Sequence, residues 1–109
     1  MRVEGSLPQR RAYHISFVYS KTLYIHGGED FFSGILDSMW ALPLDFIEKG
    51  KPKWRRLLSS KASPGPLSRH AAVLQGDSAF VVGGLQPDGH ANCEMFRFDI
   101  KAGSWHTVK

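Results

Sequence analysis

Five histidines, His14, His26, His70, His90 and His106, hold most of the metal-binding and acid–base potential of this chain. No pair of them has the His-Glu-x-x-His spacing that puts two imidazoles on one helix face for zinc. The carboxylates Glu29, Asp30 and Asp37 fall in one loop region. General acid–base work needs a defined separation and shifted pKa values, which spacing alone does not supply, so a solvated loop is the reading. Cys93 is the single cysteine, with no neighbour suited to activating a thiolate and no second cysteine for an intrachain disulfide. The pairs Gly27-Gly28 and Gly83-Gly84 could approach a phosphate. They lack the Gly-x-x-x-x-Gly-Lys pattern and no helix follows, so their use is structural: positive φ and close backbone approach at a strand end. Arg11 and Arg69 could bind a ligand carboxylate; their expected role is to tie neighbouring carbonyls and acids together. Lys49, Lys51, Lys53, Arg55, Arg56 and Lys61 surround Trp54. Basic residues interleaved with an aromatic suit single-stranded nucleic acid, but Trp54 has a structural claim set out below. The expectation is no catalytic residue, no metal and no cofactor.

Those residues must be held by short strands. The chain has 109 residues, 42% hydrophobic and 22% charged, the composition of one small globular domain. Eleven glycines and an aromatic share of 12% suit strands joined by tight turns. The net charge of +4 is compatible with an acidic partner or a phosphate surface, though its first meaning is solubility. No stretch approaches the roughly 18 apolar residues that span a bilayer. Met1 to Pro8 lacks the apolar core of a signal peptide. With one cysteine, the expectation is an intracellular, cytoplasmic protein with no membrane association.

Self-comparison organises the chain. Lys21 to Gly28 matches Asp77 to Gly84, 56 residues on, as apolar runs ending in a glycine pair. Pro8-Gln9-Arg10-Arg11 matches Pro66-Leu67-Ser68-Arg69 at an offset of 58. Leu42-Pro43-Leu44-Asp45 matches Phe96-Arg97-Phe98-Asp99 at 54, and Trp54 to Leu57 matches Trp105 to Val108 at 51. Each unit reads as four strands. In the first they are Tyr13–Tyr19, Thr22–Gly27, Ile35–Asp45 and Lys53–Leu58; in the second, Ala71–Gln75, Ala79–Gly83, Cys93–Ile100 and Ser104–Val108. Pro43 disfavours a helix over Asp37 to Glu48. Gly28 to Gly34 reads as a breaker, and Gly76-Asp77 as a tight hairpin. Ser59 to Pro66 is a linker between the units. Arg2-Val3 resembles the tail of a preceding Trp-bearing strand.

The Pro-x-x-Arg opening, the apolar strand ending in Gly-Gly, the aromatic third strand ending near Asp and the spaced Trp together resemble the kelch repeat, twice over. The resemblance covers Pro8 to the C-terminus. Unit one has His14 three residues after Arg11; unit two departs, with Ala72 there and His70 directly after Arg69. Trp40 stands near the family's third-strand Tyr. The resemblance implies an all-β fold of two four-stranded antiparallel blades from an incomplete β-propeller ring. The whole chain, 1–109, is then one kelch region, with repeat 1 about 8–58 and repeat 2 about 66–109. Two blades do not close a ring, since propellers have roughly 4–8 blades. Arg11, Gly27, Gly28, Trp54, Arg69, Gly83, Gly84 and Trp105 become the structural repeat positions, the tryptophans packing between blades. The implied function is protein–protein interaction, as a scaffold or adaptor, through loops carrying Asp30, Phe31, Phe32, Asp88 and His90. The alternatives are part of a copper enzyme of the galactose oxidase type, for which one Cys and no assembled ligand set are a poor match, or a basic phosphate- or RNA-binding surface.

Overall fold

The computed structural model describes residues 8–30, 32–45, 50, 53–57 and 62–108. The expectations for Phe31, Leu58, Lys49, Lys51, Lys61 and the Arg2-Val3 strand tail lie outside these residues. The ten named elements among the described residues are all strands: β1 Ile15–Tyr19, β2 Thr22–His26, β3 Glu29–Asp30, β4 Gly34–Ile35, β5 Met39–Pro43, β6 Arg55–Leu57, β7 Ala71–Gln75, β8 Ser78–Val82, β9 Met95–Asp99 and β10 Ser104–Val108. They form two four-stranded antiparallel sheets, ordered β1-β2-β5-β6 and β7-β8-β9-β10, plus the small pair β3-β4.

Alternation builds the strands. In β1 the apolar Ile15 and Phe17 are buried while Ser16 and Val18 face out, the period-2 signature of a half-covered sheet. Two-residue turns join the first hairpin of each sheet, so Tyr19 pairs with Thr22 and Gln75 with Ser78. Gly76-Asp77 forms the tight hairpin its residues imply. Ser20 and Lys21 do the same work at φ of 49° and 58°, without a glycine.

The ladders correct three sequence expectations. The third strand starts at Met39, not Ile35, because Ile35 pairs back with Glu29 in the small hairpin. The segment expected as a breaker, Gly28 to Gly34, therefore carries a strand pair of its own. The third strands also align at an offset of 56 rather than 54. Thr22 faces Pro43, and Ser78 faces Asp99, so Pro43 and not Asp45 is the counterpart of Asp99. The fourth strands keep the offset of 51, with Leu57 opposite Met39 and Val108 opposite Met95. All the length difference between the units thus falls between the third and fourth strands.

The core lies between the two sheets. Ile15, Phe17, Tyr24, Met39 and Ala41 of the first meet Leu67, Ala79, Val81, Phe98, Ile100 and Trp105 of the second unit. Tyr24 tilts onto Phe98 at 6.3 Å, and Trp105 lies 5.0 Å from Phe98 and 5.4 Å from His26. On the second sheet the matching face is open. Val73, the counterpart of Phe17, is 62% exposed against 9%; Met95, the counterpart of Met39, is 38% against 4%. The two tryptophans differ accordingly. Trp105 is buried, whereas Trp54 precedes β6 and is half-buried, outside the shared core. Trp105→Ala should therefore destabilise the chain by about 3–5 kcal/mol. Trp54→Ala should cost clearly less, read as midpoints of urea unfolding followed by far-UV circular dichroism.

Candidate interaction surface and the junction behind it

The first glycine pair marks where the two units approach. Gly27 has φ +71°, and a Cβ there would meet the Leu67 carbonyl oxygen and lie 2.7 Å from His70 Cε1. Its counterpart Gly83 has φ +70° with open space around it. Gly28 and Gly84 do a different job: each sits against its own unit's histidine, with His14 Cβ 3.0 Å and His70 Cβ 2.8 Å from the Cβ position. Across the junction, the Gly28 N–H donates to the Leu67 carbonyl at 2.8 Å and the Arg69 N–H to the Tyr13 carbonyl at 2.9 Å. Tyr19 Oη donates to Asp77 at 2.8 Å.

His26 and His70 face each other in this junction, His26 Nδ1 to His70 Nε2 at 3.1 Å. One neutral ring donates and the other accepts. Burial pushes the His26 pKa down to about 3, reinforced by the nearby His70 and Arg11 charges. Burial likewise lowers His70 to about 4, with His14 adding to the effect. Protonating both would set two N–H groups nose to nose in a dry site.

The arginines are not equivalent. The ladder pairs Ala12 with Glu29 and Ser68 with Leu85, so the counterpart of Arg69 is Tyr13, and that of Arg11 is the buried Leu67. Tyr13 and Arg69 share the same left-handed backbone, φ 61° each. His14 is then the true counterpart of His70. Matching Pro-x-x-Arg by chemistry shifted this segment by two residues. Arg11 donates to the Gly27 carbonyl at 3.0 Å, the Ser38 carbonyl at 3.4 Å and Ser38 Oγ at 2.9 Å. In the second unit Asn92 serves the two corresponding carbonyls, Gly83 at 3.0 Å and Glu94 at 2.9 Å. Asn92 was not singled out by sequence; its position before the third strand, level with Leu36, was the available signal. Arg69 instead spans the junction from the surface, 3.2 Å from Glu29 and 4.1 Å from the Tyr13 ring centre.

Both second-to-third strand connections leave the sheets at the glycine-pair end. The first is the β3-β4 hairpin. Gln9 Nε2 braces it, donating to Asp30 Oδ2 at 3.0 Å and to Ser33 Oγ. The Gln9 hydrogen bond holds the Asp30 carboxyl below its usual pKa. Phe32 stands at the tip, 84% exposed. The second connection is a turn closed by Gln86 and His90. Within it Asp88 accepts from the His90 N–H at 2.9 Å and lies 3.2 Å from His90 Nδ1. The His90 backbone bond lowers the Asp88 pKa. Asp30, Phe32, Asp88 and His90 thus share one end of the molecule. Among the described residues no group of three or more His, Cys, Asp or Glu side chains could hold a metal.

Two measurements check the junction. Gly27→Ala and Gly83→Ala both place a side chain in the left-handed region, at about 1–2 kcal/mol each. Gly27→Ala should lose at least about 1 kcal/mol more, because only there does the methyl strike the opposite unit, at Leu67 and His70. The histidine pair predicts acid sensitivity. The unfolded chain binds protons near pH 6.5, while folded His26 and His70 resist to about 3 and 4. Their stabilisation is complete above pH 6.5 and drains away as pH falls towards those values. Urea midpoints between pH 6.5 and 5 should drop in the native chain, and His70→Asn should flatten that slope.

The sequence and fold have relatives. The KLHDC2/KLHL20/DRC7 Kelch-repeats domain matches residues 1–109. The tRNA wybutosine-synthesizing protein 2/3/4 of Oryza sativa subsp. japonica is 31% identical over 108 residues, 99% of this chain and 10% of that protein. Leucine-zipper-like transcriptional regulator 1 of Homo sapiens is 28% identical over 107 residues, 98% of this chain and 12% of that protein. The chain spans about a tenth of the length of these curated relatives. The structure of YjhT superposes with a TM-score of 0.70 at 17% identity, covering 93% of this chain and 28% of that one. With the whole length matched and two four-stranded blades in place, the chain belongs to the KLHDC2/KLHL20/DRC7 Kelch-repeats domain family.

Proposed function

We propose that this chain is a protein-binding part of a kelch propeller, acting as a scaffold or adaptor in the cytoplasm and not as an enzyme. Residues 8–58 and 66–109 are read as its two blades, forming one interaction region. The carrying observation is Phe32: a large apolar ring, 84% exposed, on a two-stranded hairpin braced by Gln9. An exposed aromatic at a hairpin turn suits an interface anchor, because large aromatic side chains carry much of the binding energy of protein interfaces. Asp30, Asp88 and His90 offer polar contacts on the same end. Domains of this family commonly serve protein interaction, and a regulator is among the relatives. The exposed Cys93 thiol suits a reducing compartment.

A photo-crosslinking residue at position 32, introduced in cells, should give a discrete protein adduct. The same residue at Lys101, on the opposite turn, should give none. Once that partner is purified, Phe32→Ser should weaken it about 30-fold, the loss of a hot spot of about 2 kcal/mol. An RNA adduct at position 32, or equal affinity for the Ser variant, would overturn the reading.

A further inference from the structure

Between the chain's own two blades lies a cavity of about 210 Å³. A further blade would cover the outer face of the first sheet or the open face of the second, so a closed ring claims neither wall of this cavity. Met39 and Leu57 line it from the first blade and Trp105 from the second, which gives it an apolar wall. Asp37 and Arg56 line it as well, and so does His26, whose ring is engaged with His70. Asp37 is exposed and has no hydrogen-bond or ion-pair partner among the described residues. Beside the cavity stands Arg55. It pairs with Ala41, and Leu57 pairs with Met39; Ala41 and Met39 belong to the shared core, so Arg55 and Leu57 both face the second blade. Strand geometry sets them about 7 Å apart. Arg55 is exposed and, among the described residues, also unpaired.

We propose that this cavity receives a tyrosine side chain of a partner protein, from an extended segment with an aspartate or glutamate two residues away. Size sets the first limit. Clefts for whole small molecules start at about 300 Å³, whereas about 150 Å³ holds a benzene ring, so this cavity suits one aromatic side chain. Polarity sets the second. The ring meets Trp105, Met39 and Leu57, and the phenol O–H donates to the unpaired Asp37 carboxylate, a charge-assisted bond. A lysine or arginine would also satisfy Asp37, but Arg55 and Arg56 repel a cation there; a neutral donor avoids that cost. Spacing sets the third. Side chains two apart on an extended segment repeat at the same 7 Å or so as Leu57 and Arg55, which brings the partner's carboxylate to the Arg55 guanidinium. Only the source of the phenol rests on the protein-binding reading; the chemistry of the cavity stands without it.

The test uses the full ¹⁵N-labelled chain and an acetylated, amidated peptide of sequence Ser-Tyr-Ser-Glu-Ser. The Trp105 indole N–H and the Leu57 amide should shift saturably, while the Val73 amide, on the open face of the second sheet, stays in place. Phenylalanine in place of the peptide's tyrosine should weaken binding about tenfold. Asp37→Asn should weaken the tyrosine peptide by a similar factor and leave the phenylalanine peptide unchanged, a split that a merely structural role of Asp37 would not produce. Glutamine in place of the peptide's glutamate, or Arg55→Gln in the chain, should each cost about threefold, as an exposed ion pair does. Asp37 and Arg55 are exposed, so unchanged backbone signals elsewhere will show that each variant is folded. The proposal is overturned by the absence of a saturable Trp105 shift, by equal affinity for the tyrosine and phenylalanine peptides, or by equal affinity for the glutamate and glutamine peptides. A saturable Trp105 response without any protein adduct at position 32 keeps the tyrosine site and removes the Phe32 interface. The reverse pair of results does the opposite.

Discussion

The two blades can share a core only if the backbone at Gly27 reaches the backbone at Leu67. That approach admits no side chain at residue 27 and demands a left-handed φ there. Once it is made, the rest follows at short range. The Gly28 N–H finds the Leu67 carbonyl, the His70 ring stands over Gly27 and meets His26, and Trp105 closes over His26 and Phe98. The aromatic contact of Tyr24 with Phe98 lies one layer further in. A core this small relies on few large side chains, so a displacement at the glycine is felt throughout.

The strand-end carbonyls pose a second requirement, met in two ways. Gly27 and Ser38 in one blade, and Gly83 and Glu94 in the other, leave carbonyl oxygens where the ladder stops. A guanidinium reaches the first pair from the segment before β1. An amide reaches the second pair from the segment before β9. The constraint belongs to the acceptors, since a carbonyl partly withdrawn from water needs a donor, while the donor's identity and origin are free. This frees position 67 to be a buried leucine in the junction, where the first blade has Arg11.

Much of the fold was legible in the residues. The apolar runs, glycine pairs and spaced tryptophans placed eight strands in the right order, because alternation and breakers are local signals. What failed was register. Pro66 to Arg69 looks like Pro8 to Arg11 as chemistry, yet the ladder aligns Arg69 with Tyr13. Likewise Asp45 looked like the partner of Asp99, but pairing with β2 selects Pro43. Hydrogen-bond register is a long-range property, and similar residues two positions apart cannot reveal it. The β3-β4 pair was missed because two-residue strands have no periodicity to read. His26 and His70 were visible as residues, but their encounter across 44 positions is a product of the junction. Arg55 and Leu57 were noted for other reasons; only the pairing of β5 with β6 turns both towards the second blade.

The order in which the two sheets are made has a consequence for synthesis. Blade one completes its own hydrogen bonds early, yet Phe17, Tyr24 and Met39 stay uncovered until the second unit leaves the ribosome. β6 ends at Leu57, and Trp105 of the shared core lies 48 residues on, a stretch that takes about 2–10 s to translate at roughly 5–20 residues per second. Strand pairing is complete within microseconds by comparison. The nascent chain therefore dwells as a formed sheet with one bare aromatic face, and that interval is when a chaperone has its opportunity to bind.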